Sequence, residues 1–358
     1  MDGVYLDTFA TRMQKRIVFV SYGKPGSVLS LRATCLSREL LLLGWDSTVL
    51  YAANEGPESR QCLRMNIAGY ATDLRKFYNQ HPNSFYHFLN PTARALMSSL
   101  VCPRMKIIGD WEDWHCIERD TGFARILSKI IDRYMMLRSR GIITVSRWFK
   151  NYWSDRGRQN VCYIPYAIDP IAHQPGPNPF QAPTAVFMGN LSPPWDHDIL
   201  FSALKLLQEQ SSRVRVRVIG RGVQWPQWNE FVKANHLRNV ELVGYLSDAE
   251  MQDNLRWAHL LLFPIRDKVA NLARCPFKIL QYAQAKRPIL TSNVGEVGTF
   301  LKDRAVYLSS DPSEWAGRIN SMMQEPRSDD IEYGIEKETW EQRAQVFDRF
   351  LLGLEGEE

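Results

Sequence analysis

HLLLFPIRDKVANLARCPFKILQYAQAKRPILTSNVGEV, residues 259 to 297, holds an apolar run, a basic polar loop, a helix opened by Pro276 and a second apolar run. That order is a βαβ unit. It brings a helix N-terminus and flanking cations to the end of a strand, where an anion is favoured.

Working outward, similar runs recur along the chain. In the first half they are Ile17–Tyr22, Ser47–Tyr51, Phe85–Leu89, Met105–Asp110, Gly141–Ser146 and Val161–Tyr166; in the second, Ala185–Gly189, Val214–Gly220, Val240–Leu246, His259–Ile265, Pro288–Asn293 and Ala305–Ser310. Short apolar runs alternating with helix-length segments predict parallel sheets covered on both faces, and 358 residues suffice for two such domains. DPIAHQPGPNPFQAPT, residues 169 to 184, has five prolines and one glycine, which stop both helix and strand. The expected division is a first domain over 1–170, a Pro-rich linker over 171–183, a second domain over 184–330 and a closing helical segment over 331–358. That last segment places Trp340, Ala344, Phe347, Phe350 and Leu351 on related helix faces.

Composition narrows the class. No apolar run approaches the roughly 18 residues of a membrane span, and the N-terminus lacks a charged-then-apolar leader, so cytoplasmic residence is expected. The six cysteines lack CxxC spacing and read as reduced core thiols rather than metal ligands. Residues 1–170 carry 23 Lys and Arg against 15 Asp and Glu, while 171–358 carry 21 against 24. The basic half suits either a solvated surface or peripheral contact with a polyanionic membrane face or acceptor. Nothing points to nucleic acid.

Gly23, Gly26 and Ser27 follow the first strand and suit a turn into a helix whose free N–H groups attract an anion. The full G-x-G-x-x-G is absent, and no acid ends the second strand before Glu55, which argues against a nicotinamide dehydrogenase. Gly189 with Asn190, and Gly220, Arg221 and Gly222, occupy strand ends of the second domain, either as plain turns or where phosphate or base comes close. Asp110, Glu112, Asp113 and His115 lie within six residues at the end of a first-domain strand. They serve as caps and salt bridges or as site groups.

Several of these segments, in order, resemble the retaining glycosyltransferases of the GT-B fold (glycosyl transferases group 1, family 4-like). The resemblance rests on GIITVSRWFKNYW, VCYIPYAIDP, AVFMGNLSPPWDHDILFSALKLL, VRVRVIGRG, VELVGYLSDAEMQDNLRWAHLLLFPI and RCPFKILQYAQAKRPILTSNVGEV. It implies two facing Rossmann-like domains, the second holding a UDP- or GDP-sugar, and a last helix that crosses back to the first. It also implies metal-independent sugar transfer, with retention, to a glycan, lipid or small-molecule acceptor, and no cofactor.

The donor residues so implied are Gly26, Ser27, Gly189, Asn190, Gly220, Arg221, Gly222, Arg274, Lys278 and Gln281. Arg274 and Lys278 would stabilise the leaving diphosphate. Asp110, Asp113 and His115 would orient reacting hydroxyls, the donor phosphate itself helping to take the acceptor proton. Departures from the group are equally specific. Its two donor-helix glutamates fall on Ala273 and Gln281, and its two diphosphate cations fall on Asn190 and Trp195. Arg221, Arg266, Lys268 and Arg274 are available to compensate. The alternative is a weak or inactive relative that serves as a binding or partner subunit in glycan assembly.

Overall fold

The structure is a computed structural model that describes residues 15–21, 28–52, 59, 62–65, 69–114, 117, 122–171, 175–193, 195–210, 214–326 and 330–356. Its chain forms two compact units: Met1–Trp111 with Ile126–Ile143 and Arg343–Glu358, and Glu112–Arg125 with Thr144–Gln342.

Among the described residues, thirteen strands form two sheets. They are β1 (Arg16–Ser21), β2 (Asp46–Ala52), β3 (Cys62–Met65), β4 (Phe85–Leu89), β5 (Lys106–Trp111), β6 (Gly141–Thr144), β7 (Val161–Tyr163), β8 (Thr184–Met188), β9 (Arg215–Ile219), β10 (Val240–Gly244), β11 (Leu260–Phe263), β12 (Ile289–Thr291) and β13 (Val306–Tyr307). The first sheet is ordered β3-β2-β1-β4-β5-β6-β7 and the second β10-β9-β8-β11-β12-β13. The pairings of β1 with β2 and β4, and of β8 with β9 and β11, are parallel. All twelve expected runs contain strands, most of them shorter than the run, with β2 longer by one residue at each end and β1, β5 and β8 shifted by one. β3 was not anticipated, because CLRM has neither a β-branched run nor a buried face, and only Met65 of the four is buried.

In the first unit, Ile17–Val20 on β1 are fully buried, as central parallel strands require. The Trp340–Glu355 helix buries Ala344, Phe347 and Leu351. Within the first unit, the Phe347 ring lies 6.3 Å from Phe19 and 5.6 Å from His87. Trp45 Nε1 donates to Asp348 Oδ1 at 2.8 Å. In the second unit two apolar clusters cover opposite faces of the sheet, one centred on Val186, Leu261 and Ile279, the other on Phe187, Leu204 and Leu262. The Pro-rich segment carries no regular structure at 164–171 and 175–183. It is tied to the second unit by Trp257, whose Nε1 donates to Gly176 O at 3.0 Å and whose ring meets Phe180 edge-on.

The second sheet reverses its strand order at β8, which has β9 on one side and β11 on the other. β8 and β11 pair only at Leu260 with Ala185 and Leu261 with Val186. Beyond that they part, and Tyr282 OH fills the gap. It accepts from Met188 N at 2.7 Å and donates to Leu262 O at 3.1 Å. The C-terminal ends of these strands form the crevice where open α/β sheets hold ligands.

Candidate functional site

Two glycine turns and one helix build this crevice. Gly189 follows β8, and its N–H donates to Ile219 O at 2.9 Å. Gly220 follows β9 at φ +116° and donates to Gly244 O at 2.7 Å. A Cβ on Gly220 would lie 2.1 Å from Gly189 O, and one on Gly222 would lie 2.2 Å from Leu191 O. Only glycine fits so close an approach of two backbones at positive φ. Gly220→Ala is expected to cost about 3–4 kcal/mol, from combined strain and backbone collision. Urea unfolding measures it, and a loss under about 1 kcal/mol would mean the turn yields easily.

The Phe277–Gln284 helix starts at Pro276 and carries Lys278 in its first turn. Lys278 Nζ is buried and has no hydrogen-bond partner among the described residues. It lies against Gly189, where an added Cβ would come within 2.3 Å of it. Three rings surround it, with centroids at 4.5 Å for Trp195, 4.9 Å for Phe263 and 5.2 Å for Phe187. Burial, then the Arg274 charge, lower its pKa to about 7. Aromatic faces attract a cation but accept no full hydrogen bond, so the ammonium keeps an unmet demand for an anion.

Arg274 precedes the helix and is itself buried, which lowers its pKa. Its guanidinium sits 4.6 Å from the Trp195 centroid, and its Nε lies 3.5 Å from Asp113 Oδ1. Trp195, which stands where the resembling group has a lysine, thus shares its indole between the two remaining cations. Of the other cations, Lys268 donates to Asp196 at 2.9 Å, and Arg266 donates to Asp196 at 3.3 Å and to Asp198 at 2.5 Å and 2.6 Å. Their charge is spent locally. Arg221 is exposed and lies over Trp225 at 5.0 Å.

Asp196 was missed by sequence reading. It is nearly buried and also accepts from Arg266 N and Asn271 Nδ2, each at 2.9 Å, so one carboxylate holds the loop that leads to Arg274. Burial raises its pKa, but these donors overcome that and leave it lowered. His197, also missed, is buried beside Phe187; burial, then Lys278, lower its pKa to about 4, so it stays neutral. No sequence motif marks either residue.

The structure therefore gathers Gly189, Asn190, Gly220, Gly222, Arg274 and Lys278 around one crevice. Gln281 lies half-buried, one helical turn past Lys278. Asp110 belongs to the first unit and is fully buried. It accepts from Arg32 Nε at 2.6 Å and lies 3.0 Å from His87 Nε2. Burial raises its pKa, yet Arg32 and then His87 leave it lowered. Asp113 belongs to the second unit with Arg274, and Glu112 beside it accepts from Tyr166 OH at 2.6 Å. Gly26, Ser27 and His115 lie outside the described residues. Among the described residues, no group of His, Cys, Asp and Glu is suited to hold a metal ion.

Two Rossmann-like parallel α/β units are the architecture of the GT-B glycosyltransferases. The solved structure of Anabaena HepE, in complex with UDP and glucose, aligns with a TM-score of 0.69 at 11% identity, covering 95% of this chain and 99% of that one. The lipopolysaccharide outer core galactosyltransferase WaaB, in its apo form, aligns with a TM-score of 0.65 at 11% identity, covering 94% and 99%. Residues 182–325, which hold the crevice, match the family model for Glycosyl transferases group 1. An uncharacterized glycosyltransferase of Methanocaldococcus jannaschii, MJ1178, is 24% identical over 172 residues, 48% of this chain and 45% of that protein. The chain thus matches a little under half the length of this curated relative.

Proposed function

We propose that this protein is a glycosyltransferase that moves a sugar from a nucleoside diphosphate sugar to a glycan, lipid or small-molecule hydroxyl with retention and without a metal. The observation that carries the reading is the buried ammonium of Lys278, which has no anionic partner among the described residues and sits in a crevice of glycine turns. A diphosphate seated against Gly189 and the Pro276 helix start would supply that partner. As the C1–O bond to the diphosphate breaks, Lys278 and Arg274 meet the growing negative charge. The acceptor oxygen forms the new C1–O bond, and its proton passes to a donor phosphate oxygen.

Gly189, Asn190, Gly220, Arg221 and Gly222 border the nucleotide in this reading, with Gln281 hydrogen-bonding ribose; Gly26 and Ser27 complete the proposed donor set. Asp113, fixed through Arg274, orients a reacting hydroxyl together with His115. Asp110, held by Arg32 and His87, keeps its strand end in shape. UDP is the favoured base carrier, since HepE binds it on the same fold. No described helix is long and apolar enough to cross a membrane. We place the protein in the cytoplasm, in peripheral contact with an anionic membrane face.

Melting the protein with UDP, GDP and ADP tests the donor reading. A nucleotide at a hundredfold excess over its Kd adds about 2.7 kcal/mol of stability, which moves the midpoint by several degrees. A protein whose midpoint ignores all three at millimolar concentration is not this enzyme. A second reading, a non-catalytic relative, is favoured by one feature. Ala273, where the resembling group has a carboxylate, is fully buried and offers no charge to the sugar. Nucleotide binding without release of UDP from any UDP-sugar would select it.

A further inference from the structure

Two helices, one in the first unit and one that belongs to it from Ile126 onward, turn apolar side chains outward. On the Phe123–Arg138 helix, Ser128, Ile131, Asp132 and Met135 are buried, while Phe123, Ile126, Ile130 and Leu137 are each more than half exposed. Their spacing of three, four and seven residues makes a stripe along the outward face. A helix apolar on both faces has a second partner to meet. On the Ala93–Val101 helix, Met97 and Leu100 are also more than half exposed.

The two helices are neighbours: Ser99 Oγ donates to Tyr134 OH at 3.2 Å, and Arg138 Nη2 donates to Met105 O at 3.0 Å. They are successive crossovers, from β4 to β5 and from β5 to β6, that advance in one direction along the sheet. Right-handed crossovers of that kind fall on one face, so both outward stripes point away from the same side.

Charge says what the partner is. Every charged residue that these helices expose is basic. Lys129 and Arg133 stand within the stripe and make no ion pair among the described residues, and Arg94, Arg125 and Arg138 flank it. Asp132, the one acid on either helix, is buried and accepts from Trp111 Nε1 at 3.1 Å. A second copy of this face would set like charges against each other. An anionic lipid surface receives both features at once, with apolar side chains entering the acyl boundary and lysine and arginine at the headgroups.

We propose that this face, Met97, Leu100, Ile126, Ile130 and Leu137 with Lys129 and Arg133, docks the protein on a membrane of anionic phospholipid. The proposal rests on the peripheral contact already inferred and assigns it a surface. It is independent of the donor crevice.

Co-sedimentation of the full chain with vesicles tests it, without donor or acceptor. Vesicles of phosphatidylcholine mixed with phosphatidylglycerol should retain the protein at low salt, and vesicles of phosphatidylcholine alone should retain little. Removing two charges in Lys129→Gln, Arg133→Gln should weaken retention about fivefold per charge. Ile130→Gln, Leu137→Gln should weaken it further and leave both the unfolding midpoint and nucleotide binding intact, which shows that both units stay folded. Retention equal in wild type and both variants overturns the assignment. So does absence of retention at low salt, or a concentration-dependent dimer that Ile130→Gln, Leu137→Gln dissolves. In the wild type, UDP binding without vesicle retention sinks the surface alone, and vesicle retention without UDP binding sinks the donor reading alone.

Discussion

Lys278→Met is expected to give a protein that melts higher than wild type and no longer holds a nucleoside diphosphate. The lysine's pKa of about 7, against 10.5 for a free lysine, means that its pocket disfavours the charge. Stability is therefore withheld at low pH, and it rises with pH between those values by at most ~1.4 kcal/mol per unit. Methionine fills the space between Phe187, Trp195 and Phe263 with a thioether that suits aromatic edges. Relief of the buried charge should add about 1–2 kcal/mol near neutral pH. Binding moves oppositely, with UDP affinity falling about 10–100-fold and transfer falling about 10²–10³-fold. In wild type, affinity should also decline as pH climbs past about 7 and the free ammonium is lost. Calorimetric unfolding and UDP titration across pH measure both. A variant less stable than wild type that still binds UDP normally would make Lys278 a structural residue.

Asp196→Ala should be the most damaging single change to the second unit. Arg266 N, the Arg266 guanidinium, Lys268 and Asn271 all converge on this nearly buried carboxylate. Its removal leaves buried donors unsatisfied, a loss of about 3–5 kcal/mol. Asp196→Asn keeps the shape and part of the bonding and should lose less. Because the folded pKa is lowered, the stability from Asp196 is present above the ordinary carboxylate range and is lost as pH falls through the folded value. Hydrogen exchange should report opening of residues 266–273 before the sheet. If those amides stay protected, the loop does not depend on Asp196.

Much of the fold was legible because parallel strands buried on both faces must be apolar from end to end, and runs such as those that begin at Ile17, Phe85 and His259 have that form. β3 escaped since nothing about an edge strand demands that pattern. The Pro276 helix and Lys278 could be read because proline, lysine and a preceding strand are neighbours in sequence. The residues that organise the site are not. Asp196 meets its partners about 70 positions away, and Tyr282 bridges Met188 and Leu262, 94 and 20 positions distant. Trp195 reads as a missing cation until its indole is found between Arg274 and Lys278. Asp110 reads as a strand-end acid until Arg32, 78 residues earlier, covers it.

The most direct measurement is the titration of the Lys278 ammonium itself, followed by lysine-selective NMR with and without UDP. The account predicts a pKa near 7 in the free protein, raised once UDP binds and unmoved by uridine, which lacks the diphosphate. UDP that binds without moving that pKa would contradict it.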